Sequence, residues 1–111
     1  MKAPTESALV RQLLQYLSLR GVLAWRANQI PAPLKGGGFR KFAGLKGVSD
    51  ILGVLPPGGR LLAVEAKSPT GRLRPAQARF LDAVNARGGL GIVCRSLADL
   101  ERGLAAEGIT L

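Results

Sequence analysis

The sequence predicts an α/β fold, a mixed central β-sheet flanked by helices, on three observations. Two apolar runs, Ile51-Leu52-Gly53-Val54-Leu55 and Leu61-Leu62-Ala63-Val64, stand on either side of Pro56-Pro57-Gly58-Gly59 and read as a hairpin. A strand, helix, strand unit covers residues 60–94, and such a crossover leaves its two strands parallel beside the antiparallel hairpin. The whole order is helix, strand, loop, hairpin, helix, strand, helix without internal repeat, and 111 residues suit one domain over residues 1–111.

The first helix is predicted over residues 6–20. Thr5 supplies its cap, Leu9, Leu13 and Leu17 recur at four-residue spacing with Val10 and Leu14 beside them, and Gly21 stops it. Glu6 lies in the first turn, where a carboxylate complements the helix dipole. Residues 22–27 read as a strand whose one large side chain, Trp25, is expected in the core rather than as a platform for a nucleobase. From Asn28 to Gly47 the chain carries Pro31, Pro33, Gly36-Gly37-Gly38 and Gly44 among Lys35, Arg40, Lys41 and Lys46, with no acid. This reads as a mobile basic loop fit to follow a phosphate backbone, with Phe39 or Phe42 either stacked on a base or tucked into the core. No Gly-Lys-Ser or Gly-Lys-Thr follows the glycines, which excludes a Walker-type nucleotide loop and hence a nucleotide cofactor.

If the hairpin loop is the four residues from Pro56 to Gly59, Leu55 faces Arg60 and Asp50 falls opposite Glu65. Two carboxylates set across a ladder repel unless something neutralises them. A hard cation such as Mg²⁺ or Mn²⁺, which takes one or two carboxylates together with water and phosphate oxygens, suits that pair. Lys67, two residues past Glu65, points to the same side of the strand. The plain alternative is an exposed Glu65–Lys67 ion pair with Asp50 merely starting a strand. Against it stands the run from Leu61 to Val64, apolar on both faces, which marks a strand buried on both sides.

After Ser68-Pro69-Thr70-Gly71 turns the chain, Pro75 opens a helix to about residue 87 with Ala76, Phe80, Leu81 and Val84 as its buried stripe and Gly88-Gly89 as its stop. Gln77 sits at its start, within reach of the end of the Glu65 strand. Arg72, Arg74 and Arg79 cluster there too, where helix dipole and guanidinium both favour phosphate, unless they form only a solvated face. Residues 90–94 read as a short buried strand, with Cys94 a small core residue. Ser96 caps a last helix with Asp99 three residues on, and Ile109-Thr110-Leu111 is a candidate edge strand.

Sixteen Lys plus Arg against seven Asp plus Glu give +9, a balance that favours a polyanion as partner. A single cysteine allows neither a disulfide within the chain nor a thiolate zinc site, and the absence of histidine removes Ser-His-Asp and Cys-His catalysis and imidazole metal sites together. Carboxylates, lysine and water remain. No run of eighteen apolar residues and no signal-peptide core occurs, so a soluble protein of the cytoplasm, without membrane contact, is expected.

Asp50 followed after a hairpin by Glu65-Ala66-Lys67 resembles the PD-(D/E)xK nuclease superfamily, and Gly47-Val48-Ser49-Asp50 with the later Gln77 is similar to its VRR-NUC branch, over nearly the whole chain. The superfamily's Pro before the Asp is Ser49 here, in keeping with the branch's looser pattern. The resemblance implies a restriction-endonuclease-like core, a bacterial or phage-encoded origin, and Mg²⁺ or Mn²⁺ held by Asp50 and Glu65. It also implies that Lys67 orients or activates the attacking water, with Glu6 from the first helix and Gln77 completing the site and Glu6 able to serve a second ion. The implied activity is a metal-dependent DNA endonuclease acting in repair on branched DNA such as four-way (Holliday) junctions, working as a homodimer; the basic residues add expected DNA contacts from Lys35, Arg40, Lys41, Lys46, Arg72, Arg74 and Arg79. The other reading from these residues is a basic nucleic-acid-binding module that keeps a nuclease-like fold without catalysis.

Overall fold

The computed structural model describes residues 5–27, 36 and 45–111. Its elements are α1 (Glu6–Leu19), β1 (Leu23–Arg26), β2 (Ile51–Leu55), β3 (Arg60–Ala66), α2 (Pro75–Ala86), β4 (Leu90–Cys94) and α3 (Leu97–Ala106). The four strands form one mixed sheet in the order β1-β2-β3-β4, antiparallel at the first two junctions and parallel between β3 and β4. The expected architecture and the expected hairpin register both hold, with Leu55 opposite Arg60 and Ile51 opposite Val64.

Local chemistry explains the element ends. Thr5 Oγ1 accepts from the Ala8 N–H at 3.1 Å and Gly21, at φ 79°, turns the chain out of α1. Ser96 Oγ accepts from the Asp99 N–H, while the Asp99 carboxylate reaches back to the Arg95 N–H at 2.8 Å. Together with the Arg102 guanidinium, that bond holds Asp99 below the usual carboxylate range.

Two layers of helix sandwich the sheet unequally. On one face α1 and α3 seal a core built of Leu9, Val10, Leu13 and Leu17 from α1, Ile51, Leu55, Leu62 and Val64 from the hairpin, and Leu100 and Leu104 from α3. Cys94 lies in this core, its thiol pushed up to about 12 by burial, an inert packing residue as expected. On the other face α2 packs Leu81 and Val84 over Ala63, with Leu52, Leu73, Phe80 and Val93 around them. A helix that carries the chain from β3 to β4 lies over those two strands, and among the described residues no helix covers the β1 side of that face.

Trp25 is therefore not a core residue, contrary to expectation. It is 45% exposed on the edge strand β1, and Leu23, Val54 and Leu61 are exposed on the same side. The other correction concerns the chain end, where residues 109–111 form no strand. The Ile109 N–H closes α3 by donating to Leu104 O, and Ile109 and Leu111 pack their side chains against the α1/α3 core instead of pairing with an edge. Among the described residues no helix is long and apolar enough to cross a membrane.

Candidate active site

The carboxylates meet where β2 begins and β3 ends. Continuing the register from the Ile51–Val64 pair sets Asp50 opposite Glu65, and Asp50 Oδ2 accepts from the Ala66 N–H at 2.8 Å, capping the end of the ladder with a side-chain oxygen. Glu65 is 2% exposed and Lys67 8%, so the exposed ion pair considered from sequence does not describe them. Lys67 Nζ lies 3.8 Å from Glu65 Oε1, and the Lys67 backbone is fixed by its N–H bond to Cys94 O at 3.0 Å.

Gln77 joins this group through a bond that also starts α2. Its Oε1 accepts from the Arg74 N–H at 2.9 Å, which turns its Nε2 toward Glu65 Oε1 at 3.0 Å. This is half of a capping box, since the Arg74 guanidinium has no acceptor with which to return the bond. Gln77 thus holds the Glu65 carboxylate directly.

One oxygen of the group lacks a donor: Glu65 Oε2 is buried with no hydrogen-bond donor on it, and only a protonated carboxyl can bond across to Asp50. Burial pushes the Glu65 carboxyl up to about 8. The charge of Asp50, and a hydrogen bond that the protonated form makes to its side chain, add to the rise, while Lys67 pulls the other way. Two carboxyls this close share a proton at neutral pH or require a cation between them. Oxygen donors, buried negative charge and an orphaned Oε2 fit a hard divalent ion.

Three further residues hold this arrangement in place. Gly47, at φ 76°, runs so close over α2 that a Cβ there would lie 2.2 Å from Ala76 O, and it thereby fixes how the approach to Asp50 crosses the Gln77 helix. Ser49 is fully buried and donates to Ile51 O at 2.8 Å, bracing the residue next to Asp50. Arg95 donates to Ser68 O and Gly71 O, at 2.5 and 2.8 Å, and clamps the turn that joins Lys67 to α2. Gly47 and Ser49 stood inside the recognised motif. Nothing in sequence spacing pointed to Arg95.

The structure thus brings Asp50, Glu65, Lys67 and Gln77 together and does not add Glu6. Glu6 is exposed in the first turn of α1, and no group of three acids able to hold a metal forms among the described residues. Arg72, Arg74 and Arg79 are exposed around the start of α2, on the Glu65 side, and Lys46 shares a hollow of about 270 Å³ with Arg79 and Phe80. Lys35, Phe39, Arg40, Lys41 and Phe42 lie outside the described residues.

A family model for the VRR-NUC domain matches residues 5–98. Among solved structures, one described as a VRR-NUC domain superposes with a TM-score of 0.61 at 21% identity, covering 93% of this chain and 97% of its own, a likeness of fold. No curated protein matches the chain.

Proposed function

The chain belongs to the VRR-NUC domain family, and from that premise we propose that it is a metal-dependent endonuclease that hydrolyses DNA phosphodiesters, with four-way junctions and other branched DNA as its substrates. The observation that carries this reading is Glu65, a buried carboxyl with an orphaned oxygen, facing a second carboxyl and a buried lysine at the end of a central strand. A fold that only bound DNA would have no use for that combination, which costs stability until a cation enters.

Asp50 and Glu65 are the proposed ligands of Mg²⁺ or Mn²⁺, which when bound polarises the scissile phosphate and lowers the pKa of a water. Lys67, fixed beside Glu65, orients the attacking water and offsets negative charge developing on the phosphate. Gln77 aims Glu65 and keeps its Oε1 from rotating away, and Asp50, tied at Oδ2 to the Ala66 N–H, holds the ladder end. Glu6 is assigned a supporting role, with Glu6→Gln expected to slow cleavage rather than abolish it. The exposed cations Lys46, Arg72, Arg74 and Arg79, with Lys35, Arg40 and Lys41, are proposed to contact phosphates.

One site cuts one strand. A homodimer gives two sites in two-fold relation, the symmetry of a junction whose opposed strands are both cut. Labelled linear, flap and four-way-junction DNA with Mg²⁺, Mn²⁺ or EDTA tests the reaction. Metal-dependent cuts strongest on the junction are expected, and tight binding without cleavage in either metal leaves a non-catalytic module instead. Light scattering and a cruciform plasmid test the assembly, where a monomer at micromolar concentration that yields only nicked circles rejects the dimer.

A further inference from the structure

Trp25 is the only tryptophan in the chain and lies 45% exposed on the sheet face that carries the carboxylates. Its register partner is Leu52, and Leu52 faces Ala63, which packs under α2. Glu65, two residues beyond Ala63, points to that same side. A strand spacing of about 4.8 Å and a rise of about 3.3 Å per residue place the Trp25 Cα about 12 Å from that of Glu65. Leu23, 69% exposed and paired with Val54, extends the apolar surface along β1 away from the carboxylates.

An indole left in water beside an acidic centre is better explained by a ligand that covers it than by packing. Charge selects among the candidates. The chain carries +9, with exposed Arg72, Arg74 and Arg79 at the carboxylate end, so a polyanion is attracted to this face while a second copy brings like charge. The part of a polynucleotide that fits an indole is the face of a base, and such stacking serves every base alike. A strand that advances about 3.4 Å per stacked nucleotide, and more when drawn out, spans the distance from Glu65 to Trp25 within about three nucleotides.

We infer that Trp25 is a stacking platform for an unpaired nucleobase of the DNA strand being cut, within about three nucleotides of the phosphate at Glu65 and Lys67. The inference rests on the nuclease reading for the position of that phosphate. A base in continuous duplex is stacked on its neighbours, so the platform engages junctions, flaps and frayed ends, and it supplies a physical cause for selection of branched DNA.

Because Trp25 is the sole tryptophan, its emission in the unaltered protein reports the contact directly. Wild-type protein in EDTA, titrated with a four-way junction and with a continuous duplex of the same sequence, is expected to show saturable quenching by the junction and little by the duplex. Replacing bases by abasic sites near the cut should remove the quenching at one position. Trp25→Ala should weaken junction affinity by about 5- to 100-fold, and Trp25→Phe should keep most of it. Emission unchanged at saturating junction, or emission that shifts with protein concentration alone, overturns the platform, the latter because a second copy then covers the indole. Cleavage is read separately in Mg²⁺. Cutting without quenching keeps the nuclease and removes the platform, and quenching without cutting does the reverse.

Discussion

The two faces of the sheet are built from the same strands, yet one is closed and the other half open. Beneath α1 and α3 the inward side chains, Ile51, Leu55, Leu62, Val64, Ala66, Leu90 and Cys94, all lie in one continuous apolar core. Among the described residues of the opposite face only Ala63, Leu81 and Val84 are buried apolar residues, while Trp25, Val54 and Leu61 meet solvent and Glu65 and Lys67 are buried with their polar ends. The closed face carries the hydrophobic stabilisation, and the open one holds an arrangement that burial alone disfavours. The comparison teaches that stability and proposed chemistry are separated by alternation along β3, where Leu62, Val64 and Ala66 face one way and Ala63, Glu65 and Lys67 the other.

The largest expected effects fall on the open face and leave the fold untouched. Glu65→Gln and Asp50→Asn should bring cleavage to background, and Lys67→Ala should lower it by about 10² to 10⁴-fold. DNA binding in EDTA should persist in all three. Both carboxylate substitutions keep an acceptor oxygen, including the one that serves the Ala66 N–H, so circular dichroism should match the parent and neither metal-free variant should melt below it. Carboxylate variants that cut at the parent rate would separate the site from the activity.

The converse belongs to the closed face. Leu13→Ala or Leu62→Ala, at fully buried positions, should cost about 2–5 kcal/mol of unfolding free energy in urea. Leu61→Ala, one residue from Leu62 but pointing to the half-open side, should cost less than about 1 kcal/mol. Equal costs at Leu61 and Leu62 would mean that the open face is covered in solution.

That contrast also marks what the sequence made legible. The hairpin register was readable because Pro56-Pro57-Gly58-Gly59 leaves one sensible loop length, and placing Asp50 against Glu65 followed from it. The helices were readable from caps and four-residue spacing at Thr5, Pro75 and Ser96. Trp25 was misplaced because residue type reports what a side chain favours, whereas its burial depends on how far α2 reaches across the sheet. Gln77 was found but its partner was not, since a side-chain bond from a helix start to a strand end depends on packing that no local pattern encodes. Arg95 escaped for the same reason, as its acceptors Ser68 and Gly71 are remote in sequence.

The next effect is a pH dependence confined to the open face. The Glu65 carboxyl is raised to about 8 in the folded chain and returns to about 4.5 when unfolded. Between those values the folded state holds a proton that the unfolded state has released, so stability falls as pH rises and levels off above about 8. Glu65→Gln should remove this slope from metal-free protein. Added Mn²⁺ should stabilise the parent increasingly with pH, because it replaces the proton, whereas Glu65→Gln should gain little. Melting curves at pH 5, 7 and 8.5 with EDTA or Mn²⁺ decide it, and a parent that melts alike under all six conditions would show that Glu65 is neither protonated nor metal-binding.

The smallest expected effect concerns the rim of the open face, where charge rather than geometry is at stake. Lys46, Arg72, Arg74 and Arg79 are exposed near the start of α2, and each cation that meets a duplex phosphate releases a counterion. Neutralising one should reduce the slope of log affinity against log salt by about 0.9, and removing several should add up, with Lys35, Arg40 and Lys41 expected to behave alike. The effect should be the same for every DNA sequence, since phosphates carry none. Leu23→Ala, apolar and on the same face, is the control: it removes no charge and should leave the slope unchanged. A slope that survives loss of the α2 cations would move the phosphate path away from α2. Loss of slope in those variants together with normal quenching of Trp25 would divide the open face into a rim that attracts the backbone and an indole that selects the base.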